Sequence, residues 1–171
     1  MSCLFSSAPN RSRDIGNVSS KEISAISCKP LNPAKNFTSH IAVSFWGSNR
    51  VIIYSANDNF TVVCQTPSLL ALPRSLLFHN FGHGTSSKGE DYHPHLLVGL
   101  GDGTLVSYPF RSKALGDARV ISLGDIPLSL SICPGRDRTS LIACGSRTSV
   151  LFWERETLRH SPVTLKVAYS I

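Results

Sequence analysis

The stretch HLLVGLGDGTLVSYP, from His95 to Pro109, decides how the rest of the chain is read. An apolar run, Leu96 to Leu100, meets Gly101-Asp102-Gly103, and a second run, Thr104 to Tyr108, follows at once. Asp-Gly between two β-prone runs signals a hairpin, because glycine accepts the positive φ that a tight turn demands. The same unit is written twice more, as AVSFW-GSNR-VIIY (Ala42 to Tyr54) and LIAC-GSRT-SVLF (Leu141 to Phe152). Aligned on Gly47, Gly101 and Gly145, each unit has an aromatic seven residues on: Tyr54, Tyr108 and Phe152. A hairpin recurring about every fifty residues marks a repeat architecture.

Around these hairpins the other strands fall into place. Ile23, Ala25 and Cys28 begin the first set, and Phe60 to Gln65 ends it. In the second set, Leu76 to Phe78 precedes the long polar loop from Phe81 to Pro94, and Arg119 to Leu123 follows a turn around Leu115-Gly116-Asp117. The third set opens at Leu128, Leu130 and Ile132, whose alternation places them on one face; Val163 to Tyr169 is its candidate last strand. No helix of ordinary length is visible. The predicted fold is therefore all-β, an incomplete β-propeller of about three four-stranded antiparallel blades at 22–66, 72–124 and 127–171, after a disordered leader at 1–21. A sandwich also has many short strands, but it does not explain why the glycine-turned unit recurs. Three blades do not close a ring, and the open end faces invite association; the chain reads as part of a longer protein.

Composition agrees. Apolar residues make up 42% and charged ones 16% of 171 residues, a balance suited to half-buried strands joined by polar turns. The net charge of +6 allows a nucleic-acid surface, although the basic residues are scattered. Arg136, Arg138, Arg147, Arg155 and Arg159 are the densest group and the candidate basic contact surface. Five cysteines without a CxxC, four of them beside apolar runs, read as free thiols packed as small hydrophobes in a reducing compartment. No stretch has the length of a membrane span, so no membrane partner is expected.

Catalytic and ligand chemistry find little support. His79, His83, His93 and His95, with Glu90 and Asp91, are the one cluster that invites a metal, but the ligand spacing is wrong for zinc and surface loop histidines are the better reading. Gly99 to Gly103 lacks the following helix and the Gly-Lys-Ser/Thr of a phosphate loop. No serine stands in a G-x-S-x-G elbow. No catalytic residue, cofactor, metal or small-molecule substrate is assigned; Gly47, Gly101, Asp102, Gly103 and Gly145 are structural turn residues, and Trp46 and Trp153 are expected to pack between blades.

Four stretches in collinear order, LPRSLLF (Leu72 to Phe78), HLLVGLGDGTLVSY (His95 to Tyr108), ISLGDIPLSL (Ile121 to Leu130) and ACGSRTSVLFW (Ala143 to Trp153), resemble the DNA damage-binding protein 1 family. Its relatives include the large subunit of the cleavage and polyadenylation specificity factor and splicing factor 3b subunit 3. The family's corresponding stretches read roughly PRS, LLCALGDG, LGTQP and ACSDRPTVIY. Here Gly145-Ser146-Arg147-Thr148 replaces Ser-Asp-Arg-Pro, and Gly124-Asp125-Ile126-Pro127 stands for Gly-Thr-Gln-Pro. The resemblance implies a place in the second of three propellers. It further implies a non-enzymatic adaptor of a cullin-4 ubiquitin ligase in the DNA damage response, with cullin-4 and substrate receptors as partners and the nucleus, with the cytoplasm, as location. The alternatives are an RNA-processing scaffold of the polyadenylation or splicing type and a direct nucleic-acid-binding module.

Overall fold

The computed structural model describes residues 22–32, 35–82, 91–134 and 139–164; the leader predicted at 1–21 lies outside them. Within the described residues every regular element is a strand, and no helix is long and apolar enough to cross a membrane. Three antiparallel sheets follow one another along the chain. The first is β1 (Ile23–Ser27), β2 (His40–Phe45), β3 (Val51–Ser55) and β4 (Thr61–Gln65), in spatial order. The second is β5 (Pro73–Asn80), β6 (Pro94–Leu100) and β7 (Thr104–Arg111), with the free edge of β7 carrying both β8 (Ala114–Leu115) and β9 (Arg119–Ser122). The third is β10 (Ser129–Pro134), β11 (Thr139–Cys144), β12 (Ser149–Glu154) and β13 (Thr157–Pro162). Each is an up-and-down meander, the unit of a propeller blade.

The second sheet is apolar on both faces because it is covered on both. Leu76, Phe78, Leu96, Val98, Tyr108 and Phe110 pack against Ala42, Val51 and Ile53 of the first sheet. Leu77, Leu97, Leu105 and Ile121, one residue out of phase, pack against Leu141, Ala143, Leu151 and Leu158 of the third. That double burial is why β6 reads PHLLVGL without alternation, all seven residues buried, whereas β10 alternates serine with Leu130 and Ile132. Each seam is also stitched between neighbouring first strands: the Phe78 N–H donates to Ser27 Oγ at 3.0 Å, and the Leu130 N–H to Ser75 Oγ at 3.0 Å.

Several local expectations are corrected. The second-sheet hairpin turns at Ser112-Lys113 and not at Leu115 to Asp117, and the last strand of the third sheet is β13 at 157–162 instead of 163–169, of which 165–169 fall outside the described residues. One cause underlies both. Each third-to-fourth strand connection reverses on two consecutive residues of positive φ: Asn59-Phe60 (53° and 59°), Ser112-Lys113 (52° and 64°) and Arg155-Glu156 (49° and 58°). That is type I′ geometry, which normally selects Asn-Gly, and no glycine announces it here.

The repeat alignment needs one shift. Tyr54 and Tyr108 each lie on the face of their sheet directed away from the next sheet along the chain. In the third sheet the aromatic that does so is Trp153, packed into the second seam, while Phe152 is on the far face and 36% exposed. Distance from a turn glycine does not determine the face, because one added residue in a turn sends every later side chain to the other side.

The cysteine expectation also fails in part. Among the described residues only Cys64 packs against the core; Cys28, Cys133 and Cys144 are exposed, and Cys3 lies outside the described residues. The strands that carry Cys133 and Cys144 turn their apolar residues to the seam and these thiols to the far face of the third sheet.

A candidate interaction rim

In each sheet the turn from second to third strand, which contains Gly47, Gly101 to Gly103 or Gly145, falls on the same rim as the linkers between sheets, 66–72 and 123–128. At the first junction the Val51 N–H donates to Thr66 Oγ1 at 3.0 Å, the Leu69 N–H to the Asn49 carbonyl at 2.7 Å, and the Gly101 N–H to the Leu72 carbonyl at 2.9 Å. At the second, the Leu128 N–H donates to the Leu100 carbonyl at 3.1 Å, the Leu123 N–H to the Gly103 carbonyl at 3.0 Å, and the Asp125 N–H to Ser146 Oγ at 3.2 Å. Gly103 is the turn's positive-φ residue, at 83°, and a Cβ there would lie 2.4 Å from the Gly124 carbonyl carbon. Asp102 accepts the Thr104 N–H at 3.0 Å and so braces its own turn. Gly145 is kept small by packing, since a Cβ would come within 2.6 Å of Leu128 Cδ2. The four stretches singled out in the sequence thus meet on one rim, each turn seated on the linker beside it.

The side chains that this rim offers to solvent were not all legible. The Arg74 guanidinium lies 4.7 Å from the centre of the Trp46 ring, joining the second sheet to the first. Trp46 remains 42% exposed, so the expectation that it packs between blades is corrected: it is a surface platform under an arginine. Leu70, next to the anchored Leu69, is 88% exposed. Exposure of this kind has no sequence signal, because PSLLAL reads as a core segment until Leu69 is seen to take the only buried leucine position in it.

The three candidate arginines within the described residues do not form one cluster. Arg147 is exposed on this rim in the β11–β12 turn. Arg155 sits in the β12–β13 turn at the opposite rim, and Arg159 Nε pairs with Glu154 Oε2 at 3.0 Å. Arg136 and Arg138 lie outside the described residues.

The opposite rim holds the histidines. Phe81 and His93 stack on Trp153, with ring centres 5.6 and 4.9 Å away, and His95 leans on it at 4.9 Å. His79 is the cross-strand partner of His95 and packs edge-on against Phe81. These are not the surface loop histidines expected from sequence; His95 is 5% exposed, and both ends of the 81–94 loop are packed. Burial, then the neighbouring His95, push the His79 pKa down to about 4. Burial likewise lowers His95, reinforced by His93 and Arg111 and opposed by its bond to the His93 carbonyl. Among the described residues no three His, Cys, Asp or Glu groups are gathered as metal ligands. His83 and Glu90 lie outside the described residues. Elsewhere on this rim, Lys113 of one I′ turn reaches Asp58 of another at 3.6 Å, and Ser55 Oγ donates to the same carboxylate at 2.8 Å.

Residues 5–171 match the family described as the RSE1/DDB1/CPSF1 second beta-propeller. The chain is 29% identical over 147 residues to DNA damage-binding protein 1 of Solanum lycopersicum, covering 85% of this chain and 13% of that protein. It is 27% identical over 147 residues to DNA damage-binding protein 1a of Arabidopsis thaliana, with the same coverage, and 27% identical over 147 residues to DNA damage-binding protein 1 of Drosophila melanogaster, covering 85% and 12%. The three relatives are thus matched over about an eighth of their own length. The chain, whose described residues form three consecutive meanders of strands and which is matched along almost all its length, belongs to the second β-propeller family of RSE1, DDB1 and CPSF1.

Proposed function

We propose that this chain is a non-catalytic scaffold element that holds protein partners together, as part of an adaptor of a nuclear cullin-4 ubiquitin ligase involved in the DNA damage response. The observation that carries the reading is the match to the second-propeller family over residues 5–171, together with relatives that bear the name DNA damage-binding protein 1. The form of the chain supports it: most buried apolar side chains of the three sheets lie in two seams, and its rims present loops. Affinity purification of the tagged full chain from nuclear extract tests the assignment. Recovery of cullin-4 is the expected outcome. Recovery of splicing or pre-mRNA cleavage factors without cullin would move the chain to the RNA-processing branch that the family also contains. A salt-sensitive shift of DNA or RNA by the chain alone would favour direct nucleic-acid binding instead.

A further inference from the structure

We propose that the rim between the first and second sheets, where the Arg74 guanidinium covers Trp46 beside the exposed Leu70, docks an acidic segment of a protein partner carrying a large apolar side chain. This goes beyond the scaffold reading by giving one of its surfaces a ligand chemistry, and it rests on that reading for the partner being a protein. Arg74 is exposed, and its guanidinium lies over the Trp46 ring. A guanidinium stacked by its face keeps its N–H edges free for a carboxylate, which it can grip with two parallel bonds. Among the described residues, no carboxylate is within salt-bridge distance of Arg74 or of Arg50 on the same rim. Asp102, in the adjoining turn, is committed to the Thr104 amide.

Next to this charge lies apolar surface. The Leu69 N–H is bonded to the Asn49 carbonyl, so the linker is fixed beside the Trp46 turn and Leu70 is held outward. Tryptophan and arginine are the residue types enriched at the energetic centres of protein interfaces, and Leu70 adds apolar area beside them. The charge sign selects the partner: two guanidinium groups that form no salt bridge with the nearby Glu22 or Asp102 favour Asp or Glu and disfavour Lys or Arg. Exposed apolar side chains beside them distinguish this surface from one that tracks a phosphate backbone.

Selection of a phage-displayed random dodecapeptide library on the full chain tests the proposal. Enriched peptides are expected to contain Asp or Glu together with Leu, Phe or Trp. Their binding, read by fluorescence anisotropy, should fall at least about tenfold in Arg74→Glu and severalfold in Leu70→Ser, and be unchanged in Arg155→Glu on the opposite rim. Thermal unfolding of each variant establishes that the fold is intact, and Arg74→Lys, which keeps the charge without the planar fork, should bind at an intermediate level. No enrichment, enriched peptides that lack acidic residues, or an equal loss in Arg74→Glu and Arg155→Glu would overturn it. So would a single-stranded oligonucleotide that binds more tightly than the peptides and loses binding in Arg74→Glu. Loss of cullin-4 from the purification described above, with peptide binding intact, would remove the ligase assignment and leave this docking site standing.

Discussion

His79 and Gly103 show how single residues answer to surroundings that lie far off in the chain. An imidazole held neutral by burial, with its pKa at about 4 against 6.5 in the unfolded chain, is protonated preferentially when unfolded. The stability it lends is therefore complete above about pH 6.5 and is lost as pH falls through the folded value of about 4. His95, lowered for the same first reason, acts in the same direction. The charged and titratable groups around the pair are His93, Arg111 and, at 4.0 Å from His93, Asp91. We predict that the unfolding midpoint drops as pH goes from 7 to 4, and that His79→Gln flattens this dependence by about 1–3 kcal/mol across the window, measured by urea unfolding at each pH. Gly103→Ala, by contrast, should be insensitive to pH. It combines a strained φ of 83° with a Cβ 2.4 Å from the Gly124 carbonyl carbon, and we expect a loss of about 2–4 kcal/mol, readable in the same unfolding curves. The Gly103 turn was legible in Asp-Gly; the histidine burial was not, because nothing local to HPH says that Trp153 will close over it.

At the scale of elements, the outcome depended on which turns carry glycine. The second-to-third strand turns do, for a positive φ at Gly47 and Gly103 and for close packing on the second linker at Gly103 and Gly145, and they were read from sequence. The third-to-fourth strand turns stand free of such a neighbour and are built from Asn59-Phe60, Ser112-Lys113 and Arg155-Glu156, so the last strand of the third sheet was misplaced by several residues and the short β8 was not foreseen, whereas Arg119 to Leu123 was read where β9 lies. Positive φ on non-glycine residues costs stability, and among the described residues no ion pair joins Arg155-Glu156 to another sheet, whereas Lys113 reaches Asp58. Replacing Arg155-Glu156 by Asn-Gly is therefore expected to stabilise the chain by about 0.5–1.5 kcal/mol. A rise in the thermal midpoint would show it; no rise, or a fall, would mean that the pair does more than turn the chain.

Across the whole molecule, the second sheet is the one element covered on both faces, and the two seams differ in what closes them. Trp153 sits inside the second seam with Phe81 and His93 stacked on it, while Trp46 lies at the surface of the first. Trp153→Ala should cost about 2–4 kcal/mol and loosen the third sheet, seen as faster amide exchange in β11 and β12. Trp46→Ala should cost no more than about 1 kcal/mol. The far face of the first sheet leaves Ile26 52% and Val62 60% exposed beside a cluster of Val43, Phe45 and Tyr54. Apolar surface of that kind promotes association. The chain by itself is expected to sediment as oligomers at high concentration, and Ile26→Lys with Val62→Lys should shift it toward monomer; a monomeric wild-type chain with a sharp unfolding transition would contradict this.

What the sequence by itself determined was the repeat: three meanders of β-strands, glycine turns at corresponding places, and a family likeness residing in those turns, all of which follow from patterns confined to a dozen neighbouring residues. Tertiary structure alone decided that the four separated stretches share one rim, that Trp153 and not Phe152 faces the seam, and that Leu70 stands in solvent while Leu69 is buried. The physical reason is that local periodicity reports whether a residue has a covered side, whereas which partner covers it is settled by register and by packing between sheets.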